Sequence, residues 1–112
     1  IIERKSWKAD GVATAIQVGP RLVVDGKAPT FKEAEPSRRS AIGITPEGWI
    51  EIVLSENLLT LKEWAEMLQK ECPNALNLDG GGSSQLSAAF SGLSLKVEGL
   101  TTVPNAVAVF RK

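Results

Sequence analysis

The stretch Asn77-Leu-Asp-Gly-Gly-Gly-Ser-Ser-Gln85 restricts the fold more than any other part of this chain. An apolar run ends in an aspartate, and three consecutive glycines and two serines follow at once. Each glycine has more backbone freedom to lose on folding than any other residue. A packed domain places such a run beside a carboxylate where the backbone turns sharply or comes close to a bound group. Ala75 to Leu78 reads as a buried strand and Leu86 onward as another, so the motif is strand, aspartate, glycine turn, strand. Its N–H groups suit an anion-binding nest, and Asp79 suits an acid/base, a nucleophile or a metal ligand. A purely local reading stays open: a tight turn in which Asp79 caps neighbouring N–H groups and the serines are solvated.

Familiar glycine-rich motifs do not fit. A P-loop ends in Gly-Lys-Ser/Thr, and no lysine follows Gly82. A nucleophile elbow needs Gly-x-Ser-x-Gly, and Gln85 occupies the last place. A dinucleotide fingerprint opens a helix, whereas a strand is expected here. The chain contains no histidine, which excludes Ser-His-Asp and Cys-His catalysis and His-ligated zinc within it. Chemistry must then come from carboxylates, Lys, Arg, hydroxyls, backbone dipoles or a hard metal ion. Asp79 with loop carbonyls is compatible with Ca²⁺ or Mg²⁺, although no run of ligands spells such a site.

With 112 residues the chain is at most one domain. At 43% hydrophobic and 23% charged it suits a folded protein. Thirteen basic residues cancel thirteen acidic ones, so no overall field favours a nucleic acid polymer or an anionic membrane as partner. No apolar run approaches transmembrane length, and no N-terminal stretch has the layout of a signal peptide. The opening Ile1-Ile2-Glu3-Arg4 lacks an initiator Met, which reads as a processed product, a fragment or an incompletely recorded chain. The lone Cys72 cannot form an internal disulfide and reads as a bystander near a helix end.

Residues 1–12 are polar around Trp7 and read as a lead-in to a domain over 13–112. Strands are expected at Val12 to Val18, Leu22 to Val24, Ser40 to Thr45, Trp49 to Leu54, Ala75 to Leu78, Leu86 to Phe90, Leu93 to Val97 and Ala106 to Phe110. Turns fall at Asp25-Gly26, Pro46-Glu47-Gly48 and Ser91-Gly92, and Lys27 to Arg39 reads as a long loop. Thr60-Leu61-Lys62-Glu63 is a capping box. Leu61, Trp64, Ala65 and Leu68 then repeat at helical spacing, and Pro73 stops the helix. The expected class is α+β: a mixed β-sheet with one amphipathic helix, about 60–71, packed on it.

Four segments in order resemble the phosphodiester glycosidase domain family. They are Ala15-Ile-Gln-Val-Gly-Pro-Arg-Leu-Val-Val-Asp-Gly-Lys27, Arg39-Ser-Ala-Ile-Gly43, Asn77-Leu-Asp-Gly-Gly-Gly-Ser-Ser84 and Val103-Pro-Asn-Ala-Val-Ala-Val109. The family's earlier Asn-Gly-Gly-Phe-like segment has no counterpart, and Leu100-Thr101-Thr102 stands where an arginine is common. The chain therefore resembles the C-terminal part of the domain or a shortened version.

The resemblance implies a hydrolase that cleaves the sugar–phosphate bond of a glycosyl phosphodiester such as an N-acetylglucosamine 1-phosphodiester. Asp79 would be its central catalytic residue and Arg39 its phosphate partner, since a guanidinium fork suits a phosphodiester. Gly80, Gly81, Gly82, Ser83, Ser84 and Asn105 would contact substrate, although Asn105 reads equally as a turn residue after Pro104. Glycoside hydrolysis ordinarily uses two carboxyl groups; Glu98, Asp25 and Glu33 are candidates for the second, none distinguished by spacing. Trp64 is expected in the core, leaving Trp49 and Trp7 as possible sugar platforms. Two other readings stand beside the hydrolase: a module that binds a phosphodiester, nucleotide or glycan without cleaving it, and one part of a split or oligomeric enzyme. In the last case a second copy or a partner chain supplies the missing N-terminal half across an exposed apolar edge.

Overall fold

A computed structural model describes residues 1–2, 4–32 and 34–111, apart from the side chain of Arg4. Glu33, a candidate second carboxylate, lies outside the described residues.

Two-residue and short turns organise most of the strand pairing. β1 (Arg21–Val23) ends at Asp25-Gly26, where both residues take positive φ (48° and 76°). Val24 and Lys27 then exchange hydrogen bonds of 2.9 and 3.0 Å. Such a pair of left-handed residues matches the twist of antiparallel neighbours, and Gly adopts it without strain. β2 (Ser37–Ile44) turns through Pro46-Glu47-Gly48 into β3 (Ile50–Leu59), with Thr45 N–H donating to the Trp49 carbonyl at 2.9 Å. β2 begins before the expected Ser40 and β3 runs past the expected Leu54, because the two strands support each other as far as the Ser37–Leu59 pair. β4 (Asn74–Asn77) inserts between β1 and β2, giving a four-stranded sheet in the order β1-β4-β2-β3. β5 (Leu86–Phe90) and β6 (Leu93–Val97) form a separate hairpin whose turn, Ser91-Gly92, also has positive φ at both residues.

The α+β class with a single helix is as expected. Every named pairing among the described residues is antiparallel, however, in place of the mixed sheet expected. The helix is what permits this: it carries the chain back across the sheet so that β4 enters antiparallel to β2. α1 (Leu61–Leu68) is shorter than the expected 60–71, and hydrogen-bonded turns carry the chain on to Cys72. Its start follows the capping box: Glu63 N–H donates to Thr60 Oγ1 at 3.2 Å, and Thr60 N–H donates to Glu63 Oε2 at 2.8 Å.

One face of the four-stranded sheet packs on the helix. Alternation along β2 sends Arg39, Ala41 and Gly43 to this side. Leu22, Val23, Ala41, Trp64, Ala65, Leu68, Cys72 and Ala75 form its buried core, flanked by Phe31, Val53 and Leu59. Full burial of a side chain such as Leu22 contributes about 1.5–3 kcal/mol. Gly43 is required by this packing, since a Cβ there would overlap Cys72 Sγ. The opposite face carries Ile42, Ile44, Ile50, Ile52 and Leu54, matched in register as Ile42–Ile52 and Ile44–Ile50. It is only partly covered: Ile50 and Ile52 remain 68% and 40% exposed. The β5–β6 hairpin borders it across an open groove lined by Ile52, Leu54, Leu86, Leu95 and Val97.

Two expected strands are absent from the described structure. Val12 to Val18 and Ala106 to Phe110 have no ladder partner, and Val109 and Phe110 are 79% and 85% exposed. A strand exists only where another strand takes its hydrogen bonds, so apolar alternation alone does not make one. No helix among the described residues is long and apolar enough to cross a membrane.

Candidate active site

The β2–β4 ladder brings the two charged residues of interest together. Ala41 faces Asn77 in register, and the ladder runs on as Leu78 N–H donates to the Ser40 carbonyl at 2.8 Å. One more step along each chain reaches Arg39 and Asp79. Both line an open cleft of about 440 Å³. Val18 and Gly19, just before β1, form one wall, Ser37 and Arg39 of β2 another, and residues 77–81 the third.

Arg39 is nearly buried, at 9% exposure, and its direction is set by backbone carbonyls. Nε donates to the Leu59 carbonyl at 2.8 Å and Nη2 to the Glu35 carbonyl at 3.2 Å. Those bonds leave Nη1 as the nitrogen nearest the glycine turn, 3.8 Å from where a Cβ on Gly80 would stand. The guanidinium thus brings a positive charge to the cleft, with one edge uncommitted among the described residues. Asp79 is exposed. Its Oδ1 accepts from the Gly80 N–H at 3.0 Å, and its main-chain carbonyl accepts from the Ser40 hydroxyl. The carboxylate is thus steered by its own turn.

Close approach explains two of the three glycines beside Asp79. A Cβ on Gly80 would lie 3.1 Å from the Arg38 carbonyl. Gly81 has φ +62°, and a Cβ there would meet Ser37 Oγ at 3.3 Å. The turn is a single 3₁₀ turn, Gly81–Ser83, closed by Ser83 and Ser84 N–H groups on the carbonyls of Gly80 and Gly81, both at 3.2 Å. The N–H groups of Gly81 and Gly82 lie outside these bonds.

Of the residues singled out in the sequence, Arg39, Asp79, Gly80 and Gly81 line the cleft. Gly82 faces the other way: its carbonyl accepts from the Leu100 and Thr101 N–H groups at 2.8 and 3.2 Å. Ser83 is half-buried in the turn, and Ser84 is fully buried with no partner for its Oγ among the described residues; neither lines the cleft. Asn105 is exposed on the C-terminal segment, away from the cleft. Glu98 pairs with Lys96 at 2.6 Å and Asp25 sits in the β1 turn, so neither joins Asp79. Trp49 and Trp7 are exposed and do not line the cleft; Trp64 is fully buried. Among the described residues no three His, Cys, Asp or Glu side chains stand close enough to hold a metal ion together.

Ser37 was not singled out in the sequence, and Asn77 stood there as the start of the glycine motif without a role of its own; each shares a side of its strand with Arg39 or Asp79. The signal that points to them is register, which appears only once β2 and β4 are paired.

The phosphodiester glycosidase family matches residues 1–110. A crystal structure of a hypothetical protein from Synechocystis is similar over 73% of this chain, at 33% identity and a TM-score of 0.56. This chain spans only 18% of that longer chain. No curated protein matches it. With four motifs in order, a glycine turn set beside Arg39 and a family match along almost its whole length, the chain belongs to the phosphodiester glycosidase family.

Proposed function

We propose that the cleft binds a glycosyl phosphodiester and that Asp79 and Arg39 serve hydrolysis of its sugar–phosphate bond. The observation that carries this reading is the meeting of Arg39 and Asp79 beside the Gly80-Gly81 backbone, in a chain of this family. Arg39 Nη1 and the turn N–H groups take the phosphate oxygens, where charge grows as the bond breaks. Asp79 accepts a proton from the attacking water. The water oxygen bonds to the anomeric carbon, the phosphate departs with the electron pair of the broken C–O bond, and Asp79 returns its proton to solvent. Phosphate is already a good leaving anion, so one carboxylate suffices where an ordinary glycoside needs two. The test is Asp79→Asn assayed on a 1-phosphodiester of N-acetylglucosamine. A fall in rate of about 10²–10⁴ is expected from loss of a general base; equal sugar release by both forms sinks the proposal.

A second reading is favoured by the span of 18% of the Synechocystis chain and by the partly covered Ile42–Ile52 sheet face. In it these residues hold the phosphodiester, and further residues for cleavage come from another part of a longer chain, a second copy or a partner. Calorimetry with the phosphodiester, followed by mass analysis of the recovered ligand, separates the two. Intact ligand after long incubation favours binding without cleavage; free sugar supports hydrolysis by these residues.

A further inference from the structure

β3 closes the sheet order β1-β4-β2-β3, and no strand among the described residues pairs along its outer edge. Its pairs with β2 run unbroken from Ile50 to Ser55, and its ten residues include no Pro, Lys or Arg. Proline and lysine are the residues that ordinarily blunt a free edge. A groove of about 610 Å³ follows this edge. Six consecutive β3 residues, Ile52 to Asn57, line it together with Leu86, Leu95 and Val97 of the β5–β6 hairpin. Successive strand residues point to opposite faces, so a groove touched by both sets runs along the edge between them. Six residues of strand measure about 20 Å, so the groove is as long as one short extended segment.

Ala106-Val-Ala-Val-Phe110 is a segment of that length and chemistry. It is wholly apolar, every residue is exposed, and none sits in a ladder. The chain leaves the body at Thr101, whose N–H, like that of Leu100, is held by the Gly82 carbonyl. The charges match as well. Residues 103–111 carry Arg111 and no acid, and the groove carries Glu56 and no base. The chain exposes 8573 Å², whereas a folded monomer of its 12.0 kDa exposes about 6,000 Å². The surplus, about 2,600 Å², is more than the roughly 800 Å² that each partner gives to a standard interface.

We infer that two copies of this chain exchange their C-terminal segments, residues 106–110 of each adding as a strand to the β3 edge of the other. Within one chain both the edge and the segment stand unpaired among the described residues. In the pair, β3 gains a ladder on its outer side, and the segment gains the hydrogen bonds that make it a strand. Its apolar side chains then meet Leu86, Leu95 and Val97. The exchange is reciprocal, so a two-fold dimer closes with no free edge at β3. It does not rest on the reading of the cleft.

Sedimentation of the full chain tests this. Wild type is expected to be a dimer. Ala108→Pro removes a ladder donor and cannot continue a strand, and its position outside the sheet leaves the fold of each copy intact. Its dimer dissociation constant should rise about tenfold for each of the two symmetric contacts, about a hundredfold in all. Protection of the buried Cys72 thiol reports that the variant is folded. In a second measurement, Asn57→Cys and Ala108→Cys copies are mixed and treated with a short bis-maleimide. Cross-linked pairs should form in the mixture well above their level in either variant alone. A wild type that sediments as a monomer overturns the inference, whether its own tail or a further stretch of chain fills the groove. A dimer indifferent to Ala108→Pro overturns it too, because its copies then meet elsewhere, as by β3 against β3. Either result leaves the phosphodiester reading standing.

Discussion

Arg39 and Asp79 line one cleft without forming an ion pair. The guanidinium is tethered to the Leu59 and Glu35 carbonyls, and the carboxylate is turned onto its own Gly80 N–H. Two opposite charges at adjacent ladder positions would ordinarily collapse onto each other. Holding Arg39 by backbone carbonyls keeps its free edge for an incoming anion and leaves Asp79 available to a second group. A bidentate pair would have used both.

Arg39 therefore has two tasks, and Arg39→Lys separates them. A lysine ammonium is a point charge that cannot make both carbonyl contacts and still face the cleft. Loss of a charged hydrogen bond contributes about 1.5–3 kcal/mol, so the urea midpoint should fall. Affinity for a methyl phosphodiester of N-acetylglucosamine 1-phosphate should fall as well, by about tenfold. An unchanged urea midpoint would show that the tethers do not bear on stability.

Gly81 and Gly48 differ in what surrounds the same kind of backbone. Both have positive φ, but a Cβ on Gly48 meets nothing within 4 Å, whereas one on Gly81 meets Ser37 Oγ. Gly48→Ala should cost about 1–2 kcal/mol for the left-handed conformation alone. Gly81→Ala should cost more, and it should also weaken phosphodiester binding, which Gly48→Ala leaves untouched. Urea unfolding and calorimetry on the two variants check this.

Gly43 and Cys72 form a tight core contact, and their effects should be strongly non-additive. Gly43→Ala drives a methyl into the Cys72 sulfur and should destabilise by about 1–3 kcal/mol through overpacking. In a Cys72→Ala background most of that loss should disappear, as a double-mutant cycle in urea would measure.

The same thiol sets an alkaline limit. Burial pushes the Cys72 pKa up to about 11, helped by the Glu51 carboxylate that accepts from Sγ at 3.5 Å. The folded value lies above the unfolded value of about 9. Its stabilising share is therefore full below pH 9 and lost as pH rises through 11. Wild type should lose stability across that window more steeply than Cys72→Ala.

At the acid end the capping box responds in the opposite sense. Hydrogen bonds from the Thr60 N–H and hydroxyl hold the Glu63 carboxyl below its usual 4.5. A depressed folded pKa contributes stability above 4.5 that is lost as pH falls through the lower, folded value. Thr60→Ala should cost about 1 kcal/mol at neutral pH and flatten this acid dependence, read by thermal unfolding between pH 3 and 7, roughly the range about the carboxylate pKa.

Local chemistry made much of this protein legible from its residues. The capping box placed the start of α1, and Asp25-Gly26 and Ser91-Gly92 placed two turns, because caps and left-handed turns are decided within a few residues. The Asn77 to Gln85 motif marked the site region, since a glycine run beside a carboxylate needs a close approach to explain it. Pairing was decided elsewhere. Ala106 to Phe110 has as much strand character as β2, yet it is exposed, because no neighbour among the described residues takes its hydrogen bonds. The antiparallel order β1-β4-β2-β3 was likewise not readable, and with it the places of Ser37 and Asn77. Residue types set what each segment can do; only the register of β2 against β4 decided which side chains share the cleft, and register is a property of two strands together.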